Sequence, residues 1–305
     1  MNERVRLTGL VVLLGGGIAL AVALSLRREG TPLPSSLAPA FQLAGTPVKA
    51  IDHLVTRVIP VSEVDERELG EILRVRFAAA SRPGDSTELR YLNDLMHSLA
   101  TGARKPFEYR VYLLPYDEPN AMALPGGVIL VTRGLLPALG SEAELVAVLA
   151  HEQGHVERGH CLDAVKFELL AQRVGSRTLG SIADFAVSLL LSHSFSNTQE
   201  DDADEYAYAA LLASPYDPRG AGRAFASLLR LQRAHGVRAA ASRGADPMRD
   251  YFMSHPPLEL REAKFRERAE AWWRLHPAEV RRLGEQNLRD RVSVPRREAG
   301  GLRRN

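Results

Sequence analysis

Ser141-Glu142-Ala143-Glu144-Leu145-Val146-Ala147-Val148-Leu149-Ala150-His151-Glu152-Gln153-Gly154-His155 is the stretch on which the reading of this chain turns. Ser141 with Glu144 three residues on is a capping box, which starts a helix by giving its first orphan N–H groups side-chain acceptors. Leu145, Val146, Val148 and Leu149 then make the helix apolar, a segment built for burial. Its far end carries His-Glu-x-x-His. A four-residue step advances a helix by one turn plus about 40°, so His151 and His155 project from one face. Their ring nitrogens can reach one Zn2+ at about 2.0–2.1 Å. Glu152 lies one position on, beside the metal rather than on it, where it can take a proton from a polarised water and pass it to a leaving amine. The competing reading is an exposed helix with chance histidines. It fits poorly with the apolar run, because polar groups on a buried helix need partners.

Two histidines leave a catalytic zinc one protein ligand short. A third histidine from the same segment would need a glycine three and a histidine six residues beyond His155. Those positions hold Arg158 and Cys161, with His160 one place short, off the ligand face and read as structural. A carboxylate on a later helix is the other common solution, and residues 199–207 offer Glu200, Asp201, Asp202, Asp204 and Glu205. Spacing alone does not choose among the five. Acidic residues at a helix start are also simply what the helix dipole favours.

Upstream of the helix, Val64, Leu69, Ile72 and Leu73 mark one amphipathic helix, and Leu89, Leu92, Leu95, Met96 and Leu99 a second. Tyr109 to Leu114 and Gly127 to Thr132 read as strands, separated by a turn at Tyr116–Asn120 and the segment Ala121-Met122-Ala123-Leu124-Pro125-Gly126. From Leu135 the pattern is helical almost to the end. Thr178 to Leu191 is an apolar helix too short to span a bilayer and carries Asp184 inside; it reads as a core helix. The whole is an α+β fold, mostly α-helical, with a small sheet beside the His-Glu-x-x-His helix.

The ends carry different messages. Leu7 to Leu26 is uncharged and long enough, at about 1.5 Å per residue, to cross a bilayer core. Arginines flank it on both sides, so residues 1–28 read as a membrane anchor or export signal. Residues 29–50, rich in Pro, Ser, Gly and Ala, read as a flexible tether, 51–275 as the catalytic domain, and 276–305 as a solvated basic tail. The catalytic domain is then expected outside the cytoplasm. A net charge of +2 in 305 residues advertises no nucleic-acid partner for the molecule as a whole. Cys161, the single cysteine, excludes an internal disulfide framework and a thiolate-rich metal site.

Four segments, in order, resemble the gluzincin zinc metallopeptidases of the HtpX and CAAX-prenyl-protease type, in particular small bacterial periplasmic or membrane-anchored members. They are Asn120 to Gly127 with Val131 to Leu136, His151 to His160, Glu200-Asp201-Asp202-Ala203-Asp204, and Ser254-His255-Pro256-Pro257 with Arg261. The resemblance covers roughly residues 55 to 270. It implies a zincin-like fold binding one Zn2+ per chain through His151, His155 and Glu200, with Glu152 as general base. Asp204 would orient a ligand histidine, and the main chain at Asn120 and Ala121 would pair with an extended substrate. His255 and Arg261 would face the metal and steady the oxyanion, or His255 would cap the zinc. The implied function is zinc-dependent endoproteolysis of extended or misfolded polypeptides, in envelope protein quality control. The rival is a non-proteolytic zinc-containing chaperone or assembly factor. Ser214-Pro215 departs from the small residue and glycine usual before Tyr216-Asp217-Pro218.

Overall fold

A helix that is apolar all round belongs at the centre of a fold, and every residue from Glu142 to Val156 is buried. The computed structural model describes residues 62–80, 87–173, 179–192, 195–239 and 258–299. The N-terminal segment, the tether and His255 therefore lie outside the described residues. In chain order the elements are α1 (Glu63–Ala80), α2 (Thr87–Ala100), β1 (Arg110–Leu114), β2 (Ala121–Leu124), β3 (Val128–Thr132), α3 (Leu135–Ala138) and α4 (Glu142–Glu157). They continue with α5 (His160–Arg173), α6 (Leu179–Ser192), α7 (Asn197–Leu212), α8 (Arg219–Ala239), α9 (Leu258–Leu275), α10 (Glu285–Asp290) and α11 (Val294–Ala299). The expected α+β class, mostly helical with a small sheet, is the one observed. The central α4 packs against α7, α8 and β2.

The start of α4 is pinned from several directions. Ser141 accepts from the Glu144 N–H as its N-cap, a contact whose loss would cost about 1 kcal/mol. The Glu144 carboxylate accepts from Gly140 N–H at 2.9 Å, Ser227 Oγ at 2.7 Å and Arg223 Nε at 3.2 Å. Glu142 accepts from the Tyr91 and Tyr216 hydroxyls and from Val294 N–H. Both carboxylates sit at the positive end of the helix dipole, and together they tie α2, α8 and the C-terminal segment to α4.

That C-terminal segment corrects the expectation of a solvated tail. The Leu283 and Gly284 carbonyls accept from the Ala143 and Glu142 N–H groups, and Leu288 and Val294 are buried. Among the described arginines that suggested solvation, three find acceptors instead. Arg281 donates to the Leu212 and Ser214 carbonyls, Arg296 pairs with Asp94 at 2.8 Å, and Arg297 pairs with Asp290 at 2.6 Å.

The sheet has the order β1-β3-β2, with β1 parallel and β2 antiparallel to the fully buried β3. Ala121 to Leu124 contains no β-branched residue, so nothing in its composition marks a strand. It becomes one through pairing with β3, Ala121 opposite Val131 and Ala123 opposite Ile129. The turn that follows is set by α1. Gly126 has φ 75°, and a Cβ on Gly70 of α1 would stand 2.8 Å from the Gly126 Cα. Arg74 Nη1 donates to the Gly126 carbonyl at 2.9 Å. The apolar helix α6 buries Ile182, Ala183, Ala186 and Leu190 as a core helix, with Asp184 turned out to Arg76. No described helix is long and apolar enough to cross a membrane.

The interior of α4 carries a group out of balance. Gln153 on α4 is fully buried, and its side-chain amide has no hydrogen-bond partner among the described residues. An unsatisfied buried amide costs about 1–3 kcal/mol. Gln153→Leu should therefore stabilise the fold by about 1–2 kcal/mol, seen as a higher urea midpoint at unchanged slope. A lower midpoint would mean the amide is satisfied in solution.

Candidate metal centre

α7 crosses α4 at a point where the two backbones nearly touch. A Cβ on Gly154 would lie 3.0 Å from the Ala203 carbonyl oxygen, 3.1 Å from the Ala203 Cα and 3.2 Å from the Tyr206 Cβ. This approach lets a carboxylate on α7 reach the two histidines of α4. His151 Nε2 and His155 Nε2 are 3.1 Å apart; Glu200 Oε2 is 3.4 Å from the first and Oε1 3.5 Å from the second. Ligand atoms at tetrahedral corners with metal bonds of 2.0–2.1 Å stand about 3.3 Å apart. The buried His-His-Glu cluster therefore fits a tetrahedral ion with its fourth corner left to solvent or substrate.

The structure also distinguishes among the five acidic residues of this segment. Glu200 and Asp204 are buried; Asp201, Asp202 and Glu205 are exposed. Asp201 pairs with Lys264, and Glu205 with Lys264 and Arg268. Asp204 Oδ1 lies 3.0 Å from His151 Nδ1, so the ring nitrogen facing away from the cluster has a carboxylate to donate to.

Arg261 of α9 stands behind both carboxylates. Its Nε and Nη2 donate to Asp204 at 2.8 and 2.6 Å, and its Nη1 lies 2.7 Å from Glu200 Oε2. The guanidinium also lies over the Phe225 ring, 4.4 Å from its centroid. Burial pushes the Asp204 carboxyl up, but hydrogen bonding to His151 and the charges of His151 and Arg261 outweigh it and hold the carboxyl below its usual range. Burial and Arg261 push the His151 pKa down; its hydrogen bonds to Asp204 and Glu200 win and raise it to about 9. Metal and proton thus compete for this imidazole.

Glu152 is buried, and its Oε2 accepts from the Ala123 N–H of β2 at 2.9 Å. Asn120 turns its main chain toward β3: its carbonyl accepts from Thr132 N–H at 2.9 Å and its N–H donates to Thr132 Oγ1 at 2.7 Å. Strand alternation then puts the main-chain groups of Ala121 and Ala123 on the side of β2 away from β3. Of the two residues expected to offer main chain to a substrate, Ala121 has that orientation and Asn120 does not. Cys161 is buried against the Ala123 carbonyl, and burial pushes its thiol well up, which suits packing rather than nucleophilic chemistry.

Two contacts on His155 escaped the reading of the sequence. Its Nδ1 lies 3.1 Å from His160 Nδ1, and its ring stacks on Phe195 with centroids 3.9 Å apart. His160 is five residues along and would point elsewhere on a continuing helix. Instead α4 ends at Glu157, Gly159 adopts φ 80°, and the chain turns back. Burial lowers the His160 pKa, so its neutral ring can accept from His155 Nδ1–H. His160→Ala should weaken metal binding by about 10–100-fold, the usual effect of losing a partner of a ligand histidine. A competitive chelator titration measures this, and unchanged affinity would leave His160 a packing residue.

Residues 86–269, more than half of the chain, match the family model described as Peptidase family M48. The chain is similar to the metalloprotease LoiP of Escherichia coli (strain K12), 29% identical over 165 residues that make up 50% of this chain and 64% of the relative. It is similar to the mitochondrial metalloendopeptidase OMA1 of Arabidopsis thaliana, 30% identical over 150 residues, 47% of this chain and 28% of the relative. The beta-barrel assembly-enhancing protease of Escherichia coli (strain K12) is 25% identical over 228 residues, 67% of this chain and 44% of the relative. The chain spans less than two thirds of the length of each of these relatives.

Proposed function

The chain belongs to peptidase family M48, and on that premise we propose that it is a zinc-dependent endopeptidase acting on extended or misfolded polypeptides. The observation that carries this reading is the placing of Glu152. It sits beside the His-His-Glu cluster without belonging to it, and its carboxylate is held by the Ala123 N–H of β2. Within the family, the order of the four sequence segments favours the HtpX and CAAX-prenyl-protease type.

His151, His155 and Glu200 would hold the zinc. When bound, zinc supplies a Lewis acid that polarises the scissile carbonyl and lowers the pKa of water. Glu152 takes the proton from the attacking water and returns it to the leaving amine. The Ala121 main chain aligns an extended substrate along β2. Asp204 accepts from His151 Nδ1–H, which fixes the tautomer with Nε2 turned inward. Arg261 keeps Glu200 and Asp204 in register. That engagement favours His255 over Arg261 for steadying the oxyanion.

The relatives' names include a mitochondrial metalloendopeptidase and a beta-barrel assembly-enhancing protease. With the apolar run Leu7–Leu26, these support a membrane-anchored or exported enzyme whose polypeptide substrates lie in the cell envelope. The test is cleavage of unfolded casein by the full chain, with zinc content measured in parallel. One zinc per chain, with cleavage lost on chelation and restored by zinc, is the expected result. Folded protein without zinc would overturn the metal assignment. Zinc without cleavage would overturn the peptidase and favour a chaperone.

A further inference from the structure

Glu66, Gly70 and Arg74 follow one another at four-residue steps and form one stripe of α1. All three meet Gly126, two places beyond the end of β2. Arg74 Nη1 donates to the Gly126 carbonyl at 2.9 Å and to the Glu108 carbonyl at 3.4 Å. The Gly126 N–H donates to Glu66 Oε1 at 3.4 Å. Between these bonds the backbones touch: a Cβ on Gly126 would stand 2.6 Å from the Gly70 Cα and 2.8 Å from the Glu66 carbonyl oxygen. Both main-chain groups of Gly126 are thus bonded to side chains of α1, and no side chain fits between helix and turn.

The grip is braced at both ends. Glu66 is fully buried, and a buried carboxylate needs a charged partner. Lys105 supplies it, with Nζ 2.7 Å from Oε2. Lys105 in turn belongs to a segment that Glu157, at the end of α4, holds by the Arg104 and Lys105 N–H groups and the Tyr109 hydroxyl. Arg74 is steadied by Glu71, to which its Nη2 donates at 2.5 Å. From Gly126 the contacts lead to the site. Three residues back is Ala123, whose N–H holds the Glu152 carboxylate at 2.9 Å and whose carbonyl meets the Cys161 thiol. The turn has no slack, since Leu124 and Val128 on either side of it are already paired. A displaced Gly126 therefore moves the end of β2, because a packed interior transmits strain.

On the reading of Glu152 as the acid–base residue, we propose that Glu66, Gly70 and Arg74 are positioning residues for catalysis. The stripe fixes Gly126, and through it the Ala123 N–H that aims the Glu152 carboxylate. A purely structural role makes a different demand. Lost stability lowers the amount of folded enzyme, whereas a misaimed carboxylate lowers the turnover of each folded, zinc-loaded molecule. A misplacement of about 1 Å costs about 100-fold in such a step.

The test uses the full chain, with turnover expressed per zinc-loaded molecule well below the unfolding temperature. Gly70→Ala and Arg74→Met should each lose about 10–100-fold in kcat, with zinc affinity within about twofold of the parent. Arg74→Met adds no bulk to the contact and answers alone should Gly70→Ala fail to fold. Arg74→Lys, which keeps a donor for the Gly126 carbonyl, should recover most of the loss. Phe77→Leu changes the core on the same helix, where the ring packs against Tyr112 of β1 with centroids 6.0 Å apart. It should lower stability and leave turnover per loaded molecule unchanged. Hydrogen exchange gives a readout without proteolysis. In Gly70→Ala and Arg74→Met the Ala123 amide should exchange at least about tenfold faster, the effect of losing a bond to a charged group, with the β1 amides as in the parent. Unchanged turnover in both variants, a loss equalled by Phe77→Leu, or an unchanged Ala123 amide would each overturn the proposal. A parent that holds zinc but cleaves nothing would overturn the peptidase reading instead, and the exchange result would still decide whether α1 aims Glu152.

Discussion

Glu152→Gln is expected to keep one zinc per chain and to lose about 10²–10⁴-fold in kcat/KM, the range for removing a general acid–base. Glutamine preserves the shape and retains an oxygen that can accept from the Ala123 N–H, as Glu152 Oε2 does at 2.9 Å. What it removes is the ability to hold the water's proton. Because Glu152 is not part of the His151, His155 and Glu200 cluster, metal content separates this loss from a collapsed site. The loss should fall on kcat with little change in KM, since the interaction is made in the transition state. Retained activity within a few-fold of the parent, at full zinc, would mean that another group is the base.

Gly154→Val is expected to act through the metal rather than the chemistry. Inside an exposed helix, replacing glycine normally stabilises, because glycine is the poorest helix former after proline. Here the sign reverses. A Cβ at this position would stand 3.0 Å from the Ala203 carbonyl oxygen and 3.1 Å from its Cα, and backbone cannot swing away as a flexible side chain can. The added bulk must part α4 from α7, with an overpacking cost of about 1–3 kcal/mol. Parting the helices withdraws Glu200 from the histidines. Zinc affinity should drop by about 100-fold or more, beyond the effect of losing a single supporting contact, while far-ultraviolet circular dichroism stays helical. Gly154→Ala should fall between the two. A valine variant that holds zinc as tightly as the parent would show that the close approach does not set the site.

Both expectations combine what was legible in the sequence with what was not. The capping box at Ser141, the apolar run and the four-residue spacing of His151 and His155 are local features. A local rule turns them into a buried helix with two imidazoles on one face. Glu152 followed for the same reason. The third ligand did not, because Glu200, Asp201, Asp202, Asp204 and Glu205 are equivalent to any rule about charge near a helix start. The resemblance chose Glu200, and in the structure it and Asp204 are the buried members of the five.

Other features depend on contacts distant in sequence. Ala121–Leu124 is a strand only because β3 lies beside it. The Arg-rich ending was read as solvated, since charge alone favours water. It is held instead by acceptors more than sixty residues away in sequence, such as the Leu212 carbonyl for Arg281 and Asp94 for Arg296. The sequence by itself determined the central helix, its two imidazoles and the glutamate between them, because each depends on spacing within a few helical turns. Tertiary structure alone decided that Gly154 brings α7 into reach, that Arg261 clamps Glu200 and Asp204, and that His160 supports His155. Those are close approaches between separate elements, set by how the chain packs rather than by how its neighbouring residues are spaced.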